Sequence, residues 1–132
     1  MIIQQISVFL ENRAGQLLDV TTALAENQID MQAINIAETA DYGIARLIVD
    51  TPKKAMEILQ EKGFILRLTP VVQAAVPDRP GGLNELLAAV AEAGIDIEYM
   101  YSAFHGQKNG LAHMVFRVED TQRLDKVLQG LA

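Results

Sequence analysis

The 132-residue sequence has no cysteine, which removes disulfides, thiolate metal sites and a cysteine nucleophile together. It is a composition that suits a reducing compartment. Basic clusters are missing as well. With 11 basic against 17 acidic side chains and a formal net charge of −6, the chain has nothing to draw it to phosphate backbones or anionic membranes. No apolar run approaches the roughly 20 residues that a membrane span needs. Residues Met1 to Leu10 have neither the basic start nor the long apolar core of a signal peptide. These absences predict a cytoplasmic protein that binds neither nucleic acid nor membrane.

Catalytic equipment is also absent. There is no P-loop, no dinucleotide fingerprint, no Gly-x-Ser-x-Gly elbow and no Cys/His pair, so an enzyme is not expected. The two histidines, His105 and His113, have no partners at metal-ligand spacing, and neither a metal nor a cofactor is expected. The acidic pair Glu119-Asp120 falls where a helix should begin, and there it favours the helix dipole without a catalytic role.

What the sequence does have is apolar material, half of its residues, arranged in an internal repeat. A shift of 66 positions lays Asn12-Arg-Ala-Gly-Gln-Leu17 over Asp78-Arg-Pro-Gly-Gly-Leu83. Over residues 12–30 against 78–96, 8 of 19 positions are identical, where chance would give about one. The matches include Arg13/Arg79, Gly15/Gly81, Leu17/Leu83 and Ile29-Asp30/Ile95-Asp96. Beyond a small insertion near residues 104–109, Gly43-Ile-Ala45 meets Gly110-Leu-Ala112. The chain is two modules, residues 1–69 and 70–132.

Each module reads strand, helix, strand, strand, helix. Ile6, Val8 and Leu10 recur at the two-residue period of a strand over residues 2–11, as do Val72, Ala74 and Val76 in the second copy. Helices are expected over 15–27 and 81–93, where Leu83, Leu86, Leu87 and Val90 make a one-sided stripe. Strands return over Ile29–Glu38 and Ile95–Phe104, followed by hairpin loops at 40–43 and 105–110. Third strands follow at Ile44–Val49 and Leu111–Val118. Their apolar residues fall on both parities, so both sheet faces should be covered, one by helices and one by a neighbouring module or subunit. That predicts a homo-oligomer.

Second helices begin at Pro52, a favoured first-turn proline, and near Thr121. Phe64–Thr69 gives the first module a fourth strand, whereas the second has no last strand of its own, leaving an edge to be managed. Only Pro70 separates Thr69 from Val71, so the fourth strand should run straight into the next module and couple the two rigidly. The expected class is α+β, two ferredoxin-like βαββαβ modules in tandem, a scaffold that hosts many functions.

The loop Glu11-Asn-Arg-Ala-Gly-Gln-Leu17 and its copy Pro77-Asp-Arg-Pro-Gly-Gly-Leu83 narrow the choice. They resemble the Asn/Asp-Arg-Pro-Gly-x-Leu signature at the first strand-to-helix turn of ACT domains, and the resemblance covers nearly all of both modules. Ala14 replaces the family's proline. Leu10 stands where some serine-sensing relatives have histidine, which argues against serine. The resemblance implies a regulatory protein that binds a small effector, usually an amino acid, at interfaces between modules. The alternative is a regulatory subunit docked on an amino-acid biosynthetic enzyme, as with acetolactate synthase.

Physical chemistry supports such a loop. A helix start has amides without internal partners and partial positive charge, and can receive a carboxylate. The candidate ligand-binding residues are Asn12, Ala14, Gly15, Gln16 and Leu17 with Asp30 in the first copy. In the second they are Asp78, Pro80, Gly81, Gly82 and Leu83 with Asp96. Glycine lets a ligand approach the backbone, while Asn12, Asp78, Asp30 and Asp96 offer oxygens to an ammonium group. The same residues also read as ordinary turn, helix-start and strand-start residues. Arg13 and Arg79 read as structural or surface residues, with a ligand or interface contact as the other reading. Tyr99, Met100, Tyr101 and Phe104 read as core and interface packing.

Overall fold

Strand alternation and helical stripes give the element order β1 (Ile2–Glu11), α1 (Gln16–Glu26), β2 (Met31–Glu38), β3 (Tyr42–Val49), α2 (Pro52–Glu61), β4 (Ile65–Pro77), α3 (Gly82–Glu92), β5 (Tyr99–Ala103), β6 (Leu111–Arg117) and α4 (Thr121–Gln129). The structure, a computed structural model, describes residues 1–11, 13–38, 41–104 and 109–131. Asn12, His105 and parts of both expected hairpin loops lie outside the described residues. The class is α+β. By contacts the chain divides into Gln4–Thr69 and a second unit made of Pro70–Ala132 with Met1–Ile3.

In the N-terminal unit the strands lie in the order β2-β3-β1-β4. β1 and β3 are antiparallel, Ile6 opposite Leu47 and Val8 opposite Ala45. β2 joins the other edge of β3 with Ile34 opposite Leu47, after an irregularity between Met31 and Ala33. One face of this sheet packs on α1 and α2, where Ile6, Val8, Leu10, Val20, Leu24, Leu47 and Leu59 are buried together. Each such side chain contributes about 1.5–3 kcal/mol. The opposite parity is sheltered too, since Gln5, Ser7, Ala33 and Ile48 are buried. The Gln5 amide donates to Ser7 Oγ at 3.1 Å, as a buried polar pair must.

The C-terminal unit repeats the plan in the order β1-β4-β6-β5. Val72 faces Phe116 and Val76 faces Ala112 across the β4–β6 ladder, and Tyr101 faces Val115 across β5–β6. α3 and α4 bury Val72, Val76, Leu86, Val90, Phe116, Val118 and Leu124 against one face. On the other parity Tyr101, Ala103 and Val115 are buried, and the Tyr99 and Tyr101 rings stack with centroids 6.5 Å apart. Met100 packs on the helix side, while Phe104 is exposed.

Two strands cross the division between units. β4 is one uninterrupted strand through Pro70, and β1 gives its first residues to the C-terminal unit. There the Gln73 N–H donates to the Met1 carbonyl at 2.8 Å, and the Met1 ammonium donates to the Gln73 carbonyl at 3.1 Å and to Asp125 Oδ1 at 2.7 Å. Among the described residues no strand follows α4, and Met1–Ile3 take the place beside β4. No helix among the described residues is long and apolar enough to cross a membrane.

Candidate functional site

β1 ends at Glu11 and the chain turns into α1 through Gly15, whose φ is 87° and ψ −9°. The copy turns from β4 into α3 through Gly81, with φ 85° and ψ −7°. These are left-handed values, and a Cβ added at either position would meet nothing within 4 Å. Backbone conformation therefore demands glycine here, and lack of space does not. Neither helix receives a side-chain cap. The first helical bonds are those of the Asp19 and Glu85 N–H groups to the Gly15 and Gly81 carbonyls, both 3.0 Å; in α3 the Gly82 N–H is also held, by the Arg79 carbonyl at 3.0 Å, so the amides open at the positive end of that helix begin after Gly82.

Behind the shared turn the two loops differ. In the first, the Glu11 N–H donates to the side-chain Oε1 of Gln16, which is only 9% exposed. Beside it runs a cleft of about 470 Å³, lined by Glu11, Arg13, Gln16, Asp19 and, farther along, Thr22, Glu26 and Lys62 to Phe64. Arg13 lies 3.5 Å from Glu11 and 3.9 Å from Asp19. These exposed pairs are worth little to stability, but they place charge of both signs on one wall.

In the second loop, Gly82 replaces Gln16, and a Cβ there would lie 2.0 Å from the Pro77 carbonyl oxygen. Arg79 turns to Glu85, with both carboxylate oxygens at 3.2 Å, and to the Pro80 carbonyl at 3.4 Å. The Asp78 N–H donates to the Gly110 carbonyl at 2.7 Å. The adjacent groove, about 460 Å³, is lined by Pro77, Gly82, Leu86, Leu128 and Leu131 with Glu85, Asp125 and Met1.

The sequence candidates are therefore distributed unevenly. Ala14, Gly15, Asp78, Pro80 and Gly81 are exposed at the turns, and Gln16 and Gly82 are buried beneath them. Leu17 and Leu83 point into the two cores. Asp30 and Asp96 are not brought to the loops of their own modules. Asp30 exchanges bonds with Asp50, its N–H donating to Asp50 Oδ1 at 3.2 Å and its carbonyl accepting from the Asp50 N–H at 3.1 Å. α1 and α3, 11 residues each, intervene, and at 1.5 Å per residue they separate helix start from aspartate by about 16 Å. One amino acid within a module does not span that.

Sequence reasoning missed Thr22, Glu26 and Lys62 to Phe64 on the cleft wall. Gln16, Asp19, Thr22 and Glu26 follow helical spacing, and that polar stripe was the available signal. Among the described residues no group of three or more His, Cys, Asp or Glu side chains could hold a metal ion.

Comparison with known proteins bears on the fold and the family. No curated protein matches the chain. A solved protein from Bacteroides thetaiotaomicron is 39% identical, aligns over 99% of this chain and 89% of its own, and superposes with a TM-score of 0.91. The regulatory subunit of aspartate kinase from Thermus thermophilus shares the fold at 18% identity, TM-score 0.70, covering 98% of this chain and 96% of that one. The regulatory subunit from Thermus flavus does so at 18% identity and TM-score 0.64, covering 98% and 94%. Residues 1–130 match the family described as the ACT domain pair, and the chain, with its duplicated strand–glycine–helix turn, belongs to that family.

Proposed function

We propose that this protein is a cytoplasmic, non-catalytic regulator that binds a small amino-acid effector at a strand-to-helix turn. The observation that carries the reading is the helix start behind a left-handed glycine, without a side-chain cap, in both copies. Such a start offers open N–H groups and partial positive charge to a carboxylate. Ala14, Gly15, Gln16 and Leu17, or Asp78, Pro80, Gly81, Gly82 and Leu83, would contact the ligand chiefly through the backbone, Asn12 through its side chain. Leu17 and Leu83 contribute amides only, because their side chains are committed to the cores. Asp30 and Asp96 take part only where another copy of the chain presents its loop to them, which is the role a homo-oligomer would have.

A second reading is a regulatory subunit that docks on a biosynthetic enzyme. It is favoured by the likeness of the fold to regulatory subunits of aspartate kinase. Pull-down from a lysate, with and without the effector, separates it from a free-standing sensor.

A thermal-shift panel of the twenty amino acids tests the common claim. A ligand at a hundred times its Kd stabilises the native state by about 2.7 kcal/mol, which raises the Tm of a chain this size by about 10 °C. At least one amino acid is expected to do so. A flat panel at millimolar concentration sinks the proposal.

A further inference from the structure

The groove of the C-terminal unit runs along an open edge of β4, and every residue that lines it belongs to that unit. We infer that this groove receives a short extended segment of a partner polypeptide, which adds to the sheet beside Ala75 and seats two apolar side chains, two residues apart, on Leu86 and Leu128. The inference rests on the docking reading above and adds where the partner is held and by what kind of segment. It does not depend on effector binding at the turns.

On one side β4 pairs with β6 from Val72 to Pro77. On the other, Met1 stands opposite Gln73, and the two residues exchange both backbone bonds, at 2.8 and 3.1 Å. Backbone groups along a strand alternate between its two edges, so Ala75, two residues on, turns its N–H and carbonyl to the same side as Gln73. β1 begins at Ile2, and no strand among the described residues stands beside Ala75. Ala75 is exposed and lines the groove. An edge of this kind takes up another strand. Between Met1 and the turn at Asp78, at about 3.4 Å per residue, it admits about three or four residues. The added strand would lie end to end with β1 and continue the pairing that Met1 and Gln73 begin.

The first module shows what such a segment does. After α2 its chain enters β4, and Phe64 and Leu66, two residues apart, pack against the cluster that holds Val20, Leu24 and Leu59. The 66-residue shift matches Val20 and Leu24 with Leu86 and Val90, and setting Pro52 against Thr121 matches Leu59 with Leu128. Leu86 and Leu128 line the groove. Among the described residues the cluster they belong to draws on nothing beyond Leu128, and Leu131 stands 53% exposed at the groove. The leucines call for apolar side chains, and the Ala75 N–H and carbonyl beside them call for a backbone. A polypeptide segment supplies both, whereas a small apolar molecule supplies only the first.

The test adds to the full chain a peptide copied from the first module, Glu61-Lys-Gly-Phe-Ile-Leu66, acetylated and amidated. In an amide-correlation NMR titration the Ala75, Leu128 and Leu131 signals should shift, with Gly15 to Asp19 unmoved, and hydrogen exchange at the Ala75 N–H should slow about tenfold or more. A peptide with serine in place of its Phe and Leu should bind about tenfold more weakly or worse. Leu131→Asp, at an exposed position, should raise the Kd about fivefold. Ala75→Pro removes the edge donor where an edge strand accepts proline, and should do the same. Leu18→Asp, at an exposed leucine of α1, leaves binding unchanged. No binding at millimolar peptide, equal binding of the serine peptide, or shifts centred on Gly15 to Asp19 would overturn the inference. So would benzyl alcohol moving the groove signals where the peptide does not, which would make the occupant a small apolar molecule. A partner recovered from lysate equally by the unaltered chain and by Leu131→Asp overturns this site and leaves the docking reading intact.

Discussion

The first and second loops share a backbone and differ in how they satisfy it. Gly15 and Gly81 agree within a few degrees in both dihedrals, and α1 and α3 start and stop 66 residues apart. At the end of β1, however, Glu11 has an N–H to place, and Gln16 supplies the acceptor. At the end of β4, Pro77 has no N–H, and Gly82 has no side chain. The donor and its acceptor have come or gone together, as expected if a partly buried N–H must be paired. Without that side chain the second turn closes tightly enough that the Pro77 carbonyl occupies the space of a Cβ. A repeat can thus keep its backbone geometry while the groups beneath the turn differ, a side-chain acceptor in one copy and a close backbone approach in the other.

Exchanging the differing residues tests this contrast most severely. Gly82→Gln places a side chain 2.0 Å from a backbone oxygen, and denaturant unfolding should show a loss of about 3 kcal/mol or more. Gln16→Met leaves the Glu11 N–H without its acceptor, for about 1–3 kcal/mol by the same measurement. Gly15→Ala and Gly81→Ala should each cost about 1–2 kcal/mol and match one another, because only the left-handed backbone is penalised at both. Unequal values would show that the turns differ in more than their floors. The smallest effect concerns the far ends of the helices. Gln28 holds φ 59° where the copy has Gly94 at 70°. Gln28→Gly should therefore raise the unfolding midpoint, by about 0.5–1 kcal/mol of stability.

The repeat, the class and the order of elements were legible because apolar periodicity and turn residues are local signals. Pro52 and Thr121 begin their helices as expected, and Asp120 caps the last one by accepting from the Arg123 N–H at 3.1 Å. Strand starts were less legible. The strand expected from Ile95 begins only at Tyr99, because Ile95 spends its N–H on the Val90 carbonyl in closing α3. Ile95 and Ile97 still pack into the core, so their apolar pattern was real while their backbone lies outside the ladder. Ile29 behaves alike, bonding the Leu24 carbonyl before β2 starts at Met31. Of the candidate site, the turn was readable from Gly15 and Gly81. Its walls were not, since Lys62 lies far along the chain from Gln16 and only folding sets them on one cleft. The matched Ile-Asp pairs lie beyond the far ends of α1 and α3 from the turns, a separation set by the length of each helix.

The exchange of strand ends bears on how the chain acquires its structure. Met1 is bonded to Gln73 and Asp125, which are made much later. The N-terminal unit can form as soon as its 66 residues have emerged, whereas Met1–Ile3, which precede it, belong to the other unit and must wait for Pro70 onward to be synthesised. Completion of the second unit then joins an early segment to a late one, across the whole of a unit that can already have folded between them.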